Sequence, residues 1–130
     1  MNEAALLNTV RAHGLRVSNA RRQVLDRLLA AEAPLTAEEI AGGGDVASTY
    51  RNLDTLETIG VVRHVHLGHG PGRYALSDRS GGWASCEVCG RSTPLSDEAL
   101  SRIRAAVYDS AGFDASFAHF PIVGRCVDCI

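Results

Sequence analysis

Residues 45–60 read DVASTYRNLDTLETIG, and the fold turns on how this stretch is read. Asp45 is a side chain that accepts hydrogen bonds from the free N–H groups of a first helical turn. Gly60 tolerates the left-handed conformation that closes many helices. Between them Val46, Tyr50, Leu53 and Leu56 recur at spacings of three and four, the stripe of an amphipathic helix. The opposite face carries Ser48, Thr49, Arg51, Asn52 and Thr55. Short hydroxyls, an amide and a guanidinium are groups that reach base edges and phosphates from a helix in the major groove. The same pattern also describes an ordinary helix with a solvated face, so its neighbours decide between the two.

Upstream, Glu3 to His13 predicts a short helix stopped by Gly14, with Ala4, Leu7 and Val10 in register. Ser18 is an N-cap for a second helix over Asn19–Ala31, whose stripe is Ala20, Val24, Leu25, Leu28 and Leu29. Ala33-Pro34-Leu35 breaks it. Thr36-Ala37-Glu38-Glu39 is a capping box for a third, brief helix, ended by Gly42-Gly43-Gly44. Two helices joined by a tight glycine turn outline a helix-turn-helix. Downstream, the β-branched run Val61–Leu67, the turn Gly68–Gly72 and Arg73–Leu76 predict a hairpin. Helix-turn-helix followed by hairpin makes a winged helix, which raises the nucleic-acid reading of residues 45–60. Arg16, Ser18, Arg21 and Arg22 then join Ser48, Thr49, Tyr50, Arg51 and Asn52 as the expected DNA-contact residues.

The chain has 130 residues, a net charge of −2 and no lysine, so contact with DNA requires a local arginine patch. No apolar run is long enough to span a bilayer, and the N-terminus does not read as a signal peptide. The expectation is a soluble cytoplasmic protein without a membrane partner or small-molecule substrate. Ser77 to Gly82 is a polar stretch, which divides the chain into domains over 1–77 and 83–130 with a hinge over 78–82. The second domain is read as two short strands within Trp83–Leu95, a helix over Asp97–Ala111 stopped by Gly112, and a strand over Phe113–Val123. So small a core gains from a metal staple and from a dimer partner.

All four cysteines fall in two CxxC pairs, Cys86-Glu-Val-Cys89 and Cys126-Val-Asp-Cys129. Four thiolates suit a closed, tetrahedral, structural Zn²⁺ site with no position for a catalytic water. A dithiol redox pair is the alternative, although it usually comes as one CxxC near a βαβ unit. His64 and His66 alternate along a predicted strand, so they share a face and can converge on one ion. His69 lies in the glycine turn, and His119 completes a site only if the domains pack together. Imidazoles suit Ni²⁺ or Zn²⁺ better than Mg²⁺ or Mn²⁺.

In this order the elements resemble the ferric uptake regulator (Fur) family over nearly the whole length. The matching pieces are Gly14-Leu15-Arg16-Val17-Ser18 with Arg21, Ser48-Thr49-Tyr50-Arg51-Asn52-Leu53, Arg73-Tyr74, Cys86-x-x-Cys89-Gly90 and Cys126-x-x-Cys129. The resemblance implies an α+β protein: an N-terminal winged helix and a small α/β dimerisation domain with a four-cysteine zinc site. It implies a homodimeric, metal-dependent repressor of metal-homeostasis genes acting on a double-stranded operator, and not an enzyme. The chain departs from the family where a histidine-rich run usually precedes the first CxxC, since residues 79–85 read RSGGWAS. The segment His64–Gly70 is instead similar to the wing of the nickel-responsive branch. His64, His66 and His119 are therefore the expected ligands of a second, regulatory Ni²⁺ or Zn²⁺. A member that has lost metal sensing, or a redox-responsive thiol protein, are the alternative readings.

Overall fold

The computed structural model of the chain describes residues 2–68, 70–78 and 81–130. These form two compact units, Met1–His64 with Gly72–Arg79, and Val65–Pro71 with Ser80–Ile130.

The first unit opens with α1 (Glu3–Ala12), capped by Asn2, whose side chain accepts the Ala5 N–H at 2.9 Å. Helix α2 (Asn19–Ala30) is capped by Ser18, which accepts the Arg21 N–H at 3.1 Å. Helix α3 (Ala37–Ala41) starts with a reciprocal box. Thr36 Oγ1 accepts the Glu39 N–H at 3.2 Å, and Glu39 Oε1 accepts the Thr36 N–H at 3.0 Å. The helix ends at Gly42, whose φ of 58° is left-handed. That backbone conformation is why glycine stands here. Helix α4 (Val46–Thr58) begins at Asp45, which accepts from Ala47 and Ser48.

Three short strands complete the unit: β1 (Leu35–Thr36), β2 (Val62–Val65) and β3 (Arg73–Leu76), in the order β1-β3-β2. Strand β1 was not expected. It has two residues, too few for any periodicity, and it exists because Leu35 and Thr36 pair antiparallel with Tyr74 and Arg73. Leu6, Leu25, Ile40, Leu53, Leu56 and Leu76 are essentially solvent-free and form one core with Val10 and Val62. On α4 the stripe falls as expected, with Leu53 and Leu56 in the core and Val46 and Tyr50 packed at its edge.

In the second unit β4 (Gly82–Cys86) runs antiparallel to β5 (Ser92–Leu95) and parallel to β6 (Ile122–Gly124). Helix α5 (Asp97–Ala111) lies between Ser96, its N-cap, and Gly112, left-handed at φ 64°. Gly82 is in close contact with Leu100 of α5, where a Cβ would not fit. Leu100 is the one fully buried residue of α5, whereas Ala106 of the expected apolar face is exposed. The strand read over Phe113–Val123 is reduced to β6. Only its end runs beside β4, while His119 gives its carbonyl to the His66 N–H at 2.9 Å instead of to a ladder. Val65–Pro71, read with the first domain, groups with this unit. Among the described residues no helix is long and apolar enough to cross a membrane.

Leu53 is fully buried on α4. Leu53→Ala is expected to destabilise the first unit by about 2–5 kcal/mol in a denaturant titration. A loss under about 1 kcal/mol would show that α4 is not seated on this core.

Candidate metal centre and nucleic-acid interface

The parallel pairing of β4 with β6 builds the cysteine centre. Its register sets Cys86 opposite Gly124, so both CxxC turns leave the sheet at one end. The turns are tight. Gly90 donates its N–H to the Cys86 carbonyl at 3.0 Å, and Cys129 donates to the Cys126 carbonyl at 2.9 Å. Glu87 N–H bonds the Gly124 carbonyl at 2.8 Å, tying the first turn to β6. All four sulfurs lie within 4.8 Å of one another, and Cys89 and Cys126 are 3.7 Å apart. Tetrahedral zinc with Zn–S bonds of about 2.3 Å places its sulfurs about 3.8 Å apart. The cluster thus fits that ion, and no other group of three or more His, Cys, Asp or Glu converges among the described residues.

The thiols are electrostatically unequal. Backbone N–H groups of Cys126 and Cys89 point at Cys86 Sγ and lower its pKa to about 6. Hydrogen bonding to Cys126 raises the Cys129 thiol to about 12. Arg91 has its pKa raised, first by the charge of Cys126, and lies 3.1 Å from Asp128. Arg125 lies 3.8 Å from Glu87. Arg91 and Arg125 were absent from the expected site. Their signal was position, since one follows Gly90 and the other precedes Cys126, beside what becomes an anionic centre.

The expected histidine ligands divide between the two units, His64 in the first and His66 and His119 in the second. The His64 ring stacks on Tyr74 (centroids 4.8 Å, interplanar 13°), and its Nε2 lies where a Gly72 Cβ would project. Packing within the hairpin thus holds the ring that the strand pattern assigned to metal. His66 and His119 do meet edge-on, with centroids 4.8 Å apart, and Phe120 adjoins both. His69 lies outside the described residues.

The expected DNA-contact residues divide. Arg51 is exposed, and Ser48, Tyr50 and Asn52 are half-buried. Thr49 is buried instead, and its hydroxyl donates to the Asp45 carbonyl at 3.1 Å, so it faces inward. The helical periodicity that places Leu53 and Leu56 in the core turns residue 49 to the same side. Ser18 Oγ is occupied as the α2 cap, and Arg22 lies 4.0 Å from Glu3. Arg21 donates to the Arg16 carbonyl at 2.6 Å and to Asn52 Oδ1 at 3.2 Å. Arg73 is structural, spanning from β3 to Glu39 at 3.2 Å.

The family profile of the ferric uptake regulators matches residues 12–120. The chain belongs to the ferric uptake regulator family. Members of this family are transcriptional regulators and not enzymes. The peroxide-responsive repressor PerR of Staphylococcus saprophyticus is 27% identical over 130 residues, covering 95% of this chain and 88% of that protein. The Helicobacter pylori ferric uptake regulator Fur superposes with a TM-score of 0.77 at 18% identity, covering 99% of this chain and 94% of that one. The Pseudomonas aeruginosa regulator, solved with manganese, gives 0.71 at 24% identity, covering 98% of this chain and 99% of that one. At such identities the likeness carries the fold. The fold agrees with the expected α+β architecture, with four clustered cysteines in the second unit.

Cys86→Ser and Cys129→Ser are each expected to lower zinc content from one ion per chain to near zero and to reduce thermal stability. Unchanged melting without zinc would contradict a structural role. The pH dependence follows from the thiols. The hydrogen bonds favour the thiolate at Cys86 and hold the proton on Cys129. Metal capture must displace that proton, so a chelator is expected to extract zinc more readily as pH falls from about 8 to about 6. Extraction independent of pH would rule out thiolate ligation.

Proposed function

We propose that the chain is a homodimeric DNA-binding repressor of metal-homeostasis genes, with structural zinc held by Cys86, Cys89, Cys126 and Cys129. The observation that carries the DNA reading is the seating of α4. Its apolar stripe is in the core, while Arg51 stands exposed and Tyr50 and Asn52 are half-buried beside it, in a unit that adds a β2–β3 hairpin. A helix so held can enter the major groove with Arg51 directed at a phosphate or guanine edge. The homodimer is supported by the surface of the second unit, where Tyr108, Phe113, Phe120 and Val123 are each more than 60% exposed. Association with a second copy would take such side chains out of water.

A second reading keeps a regulatory ion. The edge-on approach of His66 and His119 favours it, offering two imidazoles to Ni²⁺ or Zn²⁺. That pair is what remains of the nickel-type site expected from the sequence. Two protein ligands fall short of the three or four usual for zinc. The first reading therefore needs only the cysteine-bound ion, with DNA binding that does not wait on another.

Arg51→Ala is expected to weaken duplex binding. A lost bidentate base contact costs about 1–3 kcal/mol, whereas a lost phosphate contact mainly flattens the salt dependence. Unaltered affinity across a salt series would remove α4 from the interface. Metal stoichiometry separates the two readings. One zinc per chain, unchanged in His66→Ala/His119→Ala, is the expected result. A second ion lost in that variant would establish the regulatory site.

A further inference from the structure

The Arg21–Asn52 hydrogen bond joins the first turn of α2 to the middle of α4. Its geometry constrains both partners. The Arg21 backbone N–H is bound by the Ser18 cap. One guanidinium nitrogen, Nη1, donates to the Arg16 carbonyl at 2.6 Å, and Nε donates to Asn52 Oδ1 at 3.2 Å. The guanidinium is therefore held at two points, one on the chain before α2 and one on α4. A guanidinium has donors and no acceptor, so only the oxygen of the Asn52 amide can face it. This fixes which way the amide points, a matter otherwise open for asparagine.

We propose that Arg21 is a positioning residue that sets the base preference of α4 by locking Asn52 as a hydrogen-bond donor. The inference rests on the DNA-binding reading above. An unconstrained asparagine reads adenine with both ends of its amide, Oδ1 accepting from N6 and Nδ2 donating to N7. Here Oδ1 is engaged by Arg21, which leaves the two Nδ2 hydrogens as the groups of the amide available to a base. Asn52 then favours guanine, whose O6 and N7 both accept, or thymine O4, over adenine, whose N7 accepts but whose N6–H₂ donor is left without the amide oxygen. A phosphate oxygen is also an acceptor, and the experiment separates the two sources. Arg21 keeps three of its five N–H groups for a phosphate of its own, so substituting it alters affinity as well as preference.

The test is enrichment of a randomised duplex pool by the zinc-loaded 130-residue chain, with salt series on the selected sequence. Wild type, Asn52→Ala, Arg21→Ala and Arg21→Gln are compared, each checked for unchanged melting. Asn52→Ala is expected to abolish a guanine or thymine preference at one position per half-site, by roughly 5-fold or more, with the salt slope unchanged. Arg21→Ala is expected to shift that same position toward adenine, because the freed amide can use both ends. Arg21→Gln retains a side-chain donor toward Oδ1 and is expected to restore part of the original preference. Three results would overturn the inference while leaving the regulator reading intact. One is an Arg21→Ala pool with the wild-type preference and only uniformly weaker binding. Another is an Asn52→Ala loss that is equal for all sequences and flattens the salt slope, which assigns Asn52 to phosphate. The third is a wild-type preference for adenine at the Asn52-dependent position. A wild-type pool with no enriched sequence would overturn the regulator reading and this inference together.

Discussion

The parallel pairing of β4 with β6 is the constraint on which the second unit depends. It brings residues about forty positions apart to one end of a three-stranded sheet and aims two short turns at the same point. With Cys86 opposite Gly124, the first turn begins at the strand end and the second begins two residues later. Shifting the register would separate the sulfurs, and losing the sulfurs would remove what holds a three-residue strand in place. Backbone pairing and ligand geometry therefore specify each other. The ladder gives the ligands their position, and a bound ion would give the ladder its stability.

The two units differ in how much they can supply from packing alone. The first gathers leucines and isoleucine from four helices and its strands into one core, with polar caps at Asn2, Ser18, Thr36 and Asp45. Each cap of that kind contributes about 1 kcal/mol. The second buries little, with Leu100 as the one fully buried residue of its longest helix, and leaves Val88, Val127 and Ile130 in water around the cysteines. Such a unit gains most from a metal staple and from association.

Where the sequence was legible, it was so through local chemistry. The α4 cap and stripe, the Thr36–Glu39 box, the Gly112 stop and strand β3 follow from residues within a few positions of one another. The cysteine centre was legible because thiolate spacing admits few uses. What stayed hidden depended on distant partners. Strand β1 exists only because Tyr74 and Arg73 lie alongside it, and most of Phe113–Val123 is irregular because only its end reaches β4. His64 and His66 share a strand pattern, yet one ring packs on Tyr74 and the other on His119 and Phe120. Thr49 looked like a surface hydroxyl because its type suits a groove, and only the phase of the helix against the core shows it turned inward.

The central claim is that the four sulfurs organise the second unit while the first unit folds independently of them. Amide hydrogen exchange, followed in the zinc-loaded chain and after chelation, tests it most directly. The account predicts that chelation exposes the amides of Cys86, Glu87 and Cys129 together with the β4–β6 ladder, while Leu53 and Leu56 keep their protection. Equal loss of protection in both units, or none in either, would contradict it.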